Sequence, residues 1–213
     1  MAVIFPRWTN WTPLVGLALA PGALLAPVFA IWYWFSPEFT DVGYMPEQPV
    51  PYSHKLHAGD LGIDCRYCHN TVERGAAAAI PPAATCMNCH KVVKSDSEKL
   101  APVRAAFEKD EPLAWTRVHL LPDYAFFDHS VHVAAGVGCV SCHGRIDQMP
   151  EVKQEKPLSM SWCLDCHTDP APKLRPKDQV TNMTWAAPEG GYDPHADRER
   201  FPSPPQHCSG CHR

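Results

Sequence analysis

The chain has 213 residues, 19 Lys and Arg against 23 Asp and Glu, and a net charge of −4. That length allows one or two domains, and the lack of a basic excess argues against nucleic acid as a partner. Ten cysteines and 23 prolines stand out; so many prolines leave little room for long helices or central strands, because each lacks a backbone donor and fixes φ. The expected fold is mainly helix and coil, with little or no β-sheet, stapled by something other than regular secondary structure.

The first predicted element is an apolar span. No charged residue occurs between Trp8 and Pro37, and Leu14 to Phe35 reads LVGLALAPGALLAPVFAIWYWF. As a helix this stretch would reach ~33 Å, enough to cross the hydrocarbon core of a bilayer. Trp8 and Trp11 lie at one edge and Trp32, Tyr33, Trp34 and Phe35 at the other, as in interfacial aromatic belts. Arg7 precedes the span, which places the N-terminus in the cytoplasm under the positive-inside rule. A cleaved signal peptide is the competing reading, since Val28-Phe29-Ala30 has the form of a small-residue cleavage site. The length of the span and its barely charged start favour a retained anchor over residues 1–40. Pro21 and Pro27 should kink it, a defect that neighbouring helices repair in membranes. Either reading puts residues 41–213 outside the cytoplasm, on the periplasmic side of the inner membrane.

Beyond the span the chain repeats itself. His54-x-x-His57 is followed by Cys65-Arg-Tyr-Cys68-His69 and Cys86-Met-Asn-Cys89-His90. His129-x-x-His132 is followed by Cys139-Val-Ser-Cys142-His143 and Cys163-Leu-Asp-Cys166-His167. The flanks agree as well: PYSHKLHAG with FFDHSVHVA, and GIDCRYCHN with GVGCVSCHG. This predicts two modules, at about 50–95 and 117–170, separated by the charged, helix-compatible insert VVKSDSEKLAPVRAAFEKD. A proline-rich tail leads to a fifth motif, Cys208-Ser-Gly-Cys211-His212, within an appended segment over 195–213.

All ten cysteines thus fall into five copies of Cys-x-x-Cys-His, with none left over. One CxxC alone would also suit zinc or a redox dithiol. Five copies, each followed directly by His, specify covalent c-type haem attachment. Each thiol of a pair adds to one vinyl group, and His69, His90, His143, His167 or His212 ligates the iron. The expected cofactor complement is therefore five c-type haems, a count that leaves no thiol for a disulfide.

Seven histidines remain. His54, His57, His129 and His132 occur at matched distances upstream of a motif in both repeats, which marks them as distal iron ligands. His119 precedes the second pair by ten residues and is a fifth candidate. His195 and His207 lie in the tail, where no repeat supports them. Met149 or Met160 could replace one histidine and raise that haem's potential; the plainer role for both is apolar filling around a porphyrin. Irons with two histidine ligands have no open position for a substrate, which favours electron transfer over catalysis.

The stretch WTRVHLLPDYAFFDHSVHVAAGVGCVSCHGRIDQMPEV and the later LSMSWCLDCH resemble the pentahaem cytochrome subunit of alternative complex III, and the first repeat and N-terminal helix are similar to it too. Related segments occur in other membrane multihaem cytochromes of the class III or c7 type. The resemblance implies a class III/c7-like domain behind one transmembrane helix, in a quinol-oxidising respiratory or photosynthetic complex. Its partners would be integral-membrane subunits, an iron–sulfur/molybdopterin-like subunit and membrane lipid, with a monohaem cytochrome c or copper protein as acceptor. By the class III pattern His54 would serve the Cys65/Cys68 haem and His129 the Cys139/Cys142 haem; His57, His132 and His119 would serve the others in an unassigned order. A stand-alone membrane quinol dehydrogenase feeding a periplasmic reductase is the alternative. A catalytic multihaem reductase is a third reading, and it would need an open iron site.

Overall fold

The computed structural model describes residues 4–189, 192–193 and 203–212. The chain divides into two compact units, Met1–Asp41 and Val42–Arg213.

In the first unit a short 3-10 turn, Arg7–Trp11, runs into α1, Thr12–Trp34. Its 23 residues make it ~34 Å long. None of them is buried, and by length and composition it could cross a membrane. Pro13 sits in the first turn, where its missing N–H costs nothing. Pro21 and Pro27 lie inside, so the carbonyls of Leu17 and Ala23 lose their usual donors four residues on. A single turn, α2 (Pro37–Thr40), closes the unit, with Phe39 against Tyr33 and Trp34.

The second unit is built from short helices joined by long irregular segments: α3 (Cys65–Cys68), α4 (Ala83–His90), α5 (Ala101–Lys109), α6 (His129–Ala134), α7 (Val140–His143) and α8 (Met160–Thr168). Among the described residues there is no strand, only two isolated bridges, Ala125 with His212 and Val137 with Leu174. The fold is thus mainly helix and coil without a sheet, as composition predicted. The insert supplies α5, which begins with Pro102 in its first turn and stops at Asp110, held left-handed at φ 54°. Ser159 caps α8 through the Trp162 amide and Asp128 caps α6 through the Ser130 amide.

Among the described residues, very little protein core holds this unit together. One apolar cluster joins α4 to α5: Val50, Ala83, Met87, Val103 and Ala106, flanked by Leu100, Leu113 and Trp115. Elsewhere Met149, Leu174 and Val180 are buried singly. A domain of this size ordinarily buries far more.

Candidate haem sites

Each motif is a helical turn, and that explains its spacing. The His69 amide donates to the Cys65 carbonyl at 2.8 Å, His143 to Cys139 at 3.0 Å and His212 to Cys208 at 2.9 Å. Positions i, i+3 and i+4 of a helix share one face, so both thiols and the imidazole point the same way. The second and fourth motifs reach the same geometry inside α4 and α8. No disulfide joins any of the ten cysteines.

Across from four of the five motif histidines stands a second imidazole. Ring centroids are 6.4 Å apart for His54 and His69, 6.3 Å for His57 and His90, 6.4 Å for His129 and His143, and 6.1 Å for His132 and His167. Two metal–nitrogen bonds of ~2 Å and two ring radii of ~1.1 Å would put the centroids of a bis-imidazole site ~6 Å apart. The four gaps therefore fit one iron each, and they are too wide for direct ring contact. No cluster of three or more His, Cys, Asp or Glu that could hold a bare metal ion occurs among the described residues; the donors come in opposed pairs, as a porphyrin requires.

Hydrogen bonds set which nitrogen faces the gap. Nδ1 of His69 lies 2.7 Å from the Ala79 carbonyl oxygen, that of His90 2.9 Å from Val93, that of His167 2.7 Å from Pro205 and that of His212 3.1 Å from Tyr124. Among the opposing rings, Nδ1 of His57 meets the Ser53 carbonyl at 2.9 Å, His129 meets Ala76 at 2.7 Å and His132 meets Asp128 at 2.7 Å. A ring that donates its Nδ1 proton to a carbonyl keeps its Nε2 lone pair for a metal. Burial acts in the same direction. It lowers the pKa of His54 to about 4 and of His143 to about 3, with neighbouring imidazoles adding to both, and it also lowers His119 and His132. A neutral imidazole is the form that binds iron.

One aromatic ring organises each upstream pair. Tyr52 stacks on His57 at 4.4 Å and meets His54 edge-on at 4.8 Å. Phe127 stacks on His132 at 4.5 Å and meets His129 edge-on at 4.7 Å. The His57 carbonyl accepts from the Ile63 amide and the His132 carbonyl from Val137, both at 3.0 Å, closing equivalent loops toward the next motif. In the first upstream pair His57 lies on a π-helical turn, Lys55–Asp60, and His54 immediately precedes it. Within it Gly59 touches the Asp147 backbone, where any Cβ would overlap the carbonyl. Beside Cys65 opens a cavity of about 810 Å³ bordered by Lys55, Asp64, Arg145 and Asp147, within the range of cofactor sites.

The remaining predicted residues are placed differently. His212 faces the Tyr124 ring at 5.8 Å, and among the described residues no second imidazole opposes it. His119 packs edge-on against His143 at 4.5 Å, with its Nε2 buried and unpartnered. His207 bonds to the Ser209 hydroxyl, Met149 is buried and Met160 is 67% exposed. His195 lies outside the described residues. Sequence reasoning missed Tyr52 and Phe127, although each stands two residues before its HxxH. It also missed Arg175, whose buried guanidinium stacks over Trp185, bonds the Asn182 carbonyl and fills the space where a Cβ on Gly138 would stand.

Two family models match this chain: class III cytochrome C over residues 37–119, and cytochrome c7 and related cytochrome c over 125–213. The boundary between them falls ahead of the second HxxH pair. A curated relative, the multihaem cytochrome c subunit of menaquinone reductase from Nitratidesulfovibrio vulgaris, is 35% identical over 124 residues. That match covers 57% of this chain and 56% of the relative, so this chain spans little more than half of the relative's length. The opposed imidazoles, the unpaired thiols and the two matches agree: the chain carries multihaem cytochrome c domains of the class III/c7 type.

Proposed function

We propose that this chain is the electron-transfer subunit of a membrane quinol-oxidising complex of the alternative complex III kind. Five haems, attached through Cys65/Cys68, Cys86/Cys89, Cys139/Cys142, Cys163/Cys166 and Cys208/Cys211, would supply one-electron carriers at closely spaced sites. The observation that carries this reading is the set of four imidazole pairs at 6.1–6.4 Å, each joining a motif histidine to an upstream one. His54, His57, His129 and His132 would each hold one haem iron together with a motif histidine, and irons so held would offer no site for a substrate. His119 packs against His143 and not opposite His212, so the partner of the Cys208/Cys211 haem is left unassigned.

Support for the quinol side comes from α1, long and apolar enough to anchor the chain, and from a relative named as a menaquinone reductase subunit. The haem domain lies on the periplasmic side in this reading, and its acceptor is a soluble monohaem cytochrome c or copper protein. Iron–sulfur/molybdopterin-like and integral-membrane subunits are its partners. The test is a haem-stained native gel of detergent-solubilised membranes, with co-migrating chains identified by mass. A band of several hundred kilodaltons carrying polytopic and iron–sulfur subunits is expected. A band near this chain's own 23.7 kDa, alone or with one soluble partner, would point to a stand-alone quinol dehydrogenase instead.

A further inference from the structure

We propose that Arg175 sets a reduction potential: its buried guanidinium raises the midpoint of the haem attached at Cys139 and Cys142 above that of its counterpart at Cys65 and Cys68. This inference rests on the proposed haem occupancy and adds a bias between the two modules that their matched ligands do not supply.

Arg175 is the only charged side chain buried among the described residues, with 7% of its surface exposed. Its backbone is fixed first. The Arg175 amide donates to the Gly136 carbonyl at 2.9 Å, and Val137 bridges to Leu174 alongside. The side chain then runs back over the residue before Cys139. The guanidinium lies on the Cα of Gly138, in the space that a Cβ would need. There Nη1 donates to the Asn182 carbonyl at 2.9 Å, and the guanidinium carbon stands 5.1 Å from the centre of the Trp185 ring. Nε is buried without a partner. Among the described residues no carboxylate pairs with this cation. A guanidinium keeps its charge at any working pH. Taken out of water without a counter-ion, that charge projects a field that solvent screens poorly.

The corresponding place in the first module has the opposite character. Asp64 precedes Cys65, and its carboxylate is bonded to the Arg66 guanidinium at 2.9 and 3.0 Å. Arg66 also meets Glu73 at 3.2 Å. These groups carry one positive and two negative charges, and each is more than a third exposed, so water screens them. The axial ligands, by contrast, match. Each site opposes two imidazoles at 6.4 Å with nearly parallel planes, 0° and 8°. Each also ties one Nδ1 to a carbonyl and leaves the other unpartnered. With the ligands equal, the buried cation is what separates the sites. A fixed positive charge favours ferrous iron, which carries one positive charge fewer than ferric. The biased step is a one-electron reduction, ferric to ferrous, with the electron supplied by quinol oxidation and no bond made or broken. One such charge is worth about tenfold in that equilibrium.

The test uses the full chain, and mass spectrometry first establishes five haems; a lower count would overturn the occupancy on which the bias rests. His54→Met and His129→Met each exchange one imidazole for a thioether, which raises that iron's potential clear of the other four. Optical redox titration at pH 6 then follows the first-module haem alone in one variant and the second-module haem alone in the other. Because the ligand change is the same, the difference between the two midpoints is the difference between the sites. His129→Met should titrate higher, with a ferrous-to-ferric ratio at fixed potential about tenfold greater, or roughly 59 mV for one electron. Adding Arg175→Gln to His129→Met should remove that difference. Arg175→Lys, which keeps a cation, should hold the ratio within about twofold. Equal midpoints in the two single variants overturn the proposal, even where Arg175→Gln fails to load haem. With five haems present, a midpoint unmoved by Arg175→Gln, or lowered as far by Arg175→Lys, overturns it too.

Discussion

The two modules place the same parts in the same positions and anchor them in opposite ways. In the first, the motif histidine is tied, His69 to Ala79, while the opposing His54 has a buried Nδ1 with no partner. In the second, the opposing His129 is tied to Ala76, and the motif His143 is buried with an unpartnered Nδ1 beside His119. Both anchoring carbonyls come from a single loop, residues 69–79 of the first module. The second module therefore borrows this support from the first. Their apolar support differs too: α4 and α5 share a cluster in the first, whereas the second is covered by the tail through Leu174, Arg175 and Val180.

The largest expected effects test whether the duplicated ligands are equivalent. His54→Ala and His129→Ala should each open one iron, so that dithionite-reduced protein binds about one more equivalent of CO than wild type in either variant. Equal gains keep the modules equivalent despite their opposite anchoring. A gain in only one would show that the other opposing histidine is structural.

Next in size is a pair of glycines three residues before the first cysteine of each module. Gly62 has φ 66° and open space around its Cα, whereas Gly136 has φ 84° and packs its Cα on the Arg175 carbonyl. Gly62→Ala should cost about 1 kcal/mol, for backbone strain alone. Gly136→Ala adds a steric clash and should cost about 2–4 kcal/mol. Thermal unfolding of the two variants checks this, and equal losses would mean the tail yields around Arg175.

Phe127→Ala and Tyr52→Ala remove the ring that wedges each upstream pair. Both rings are only half-buried, so about 2 kcal/mol is expected for each. Tyr52→Phe should cost under about 1 kcal/mol, because the other module already uses Phe there. Urea unfolding midpoints would sharpen the comparison if the hydroxyl proves to matter more than the ring.

How much of this was legible beforehand follows from where the information sits. The five motifs and both HxxH pairs are local patterns, visible because one helical turn fixes their spacing. The α5 insert was legible as a charged, helix-compatible stretch. The facing of His57 with His90 and of His132 with His167 was not, since spacing alone allows either ring to reach any remaining iron. Nor was the link of residues 180–181 to Asp64 and Cys139, which brings Thr181 back to Asp64 from more than a hundred positions away. His119 had no repeat to place it, and it lies against His143 rather than opposite His212.

The smallest effect separates the modules at the residue before each first cysteine, Asp64 in one and Gly138 in the other. Asp64 caps α3, accepting from the Arg66 amide at 2.8 Å, and also binds the Arg66 guanidinium and Thr181. Gly138 cannot be replaced in kind, because the Arg175 guanidinium stands where its Cβ would go. Hydrogen bonds from Arg66 hold the Asp64 carboxyl down at about 2, against an ordinary 3.8. A depressed carboxyl pKa means that the folded state binds fewer protons than the unfolded one. The stabilisation is thus complete above 3.8 and disappears as pH falls toward 2. The side chain is 42% exposed, so solvent screens the ion pair and most of the contribution is the cap, about 1 kcal/mol. Asp64→Ala should therefore lower the thermal midpoint at pH 7, and the gap to wild type should narrow at pH 3. A gap that stays constant between the two would assign the contribution to the backbone turn, and would leave the link from Thr181 to the first module without energetic weight.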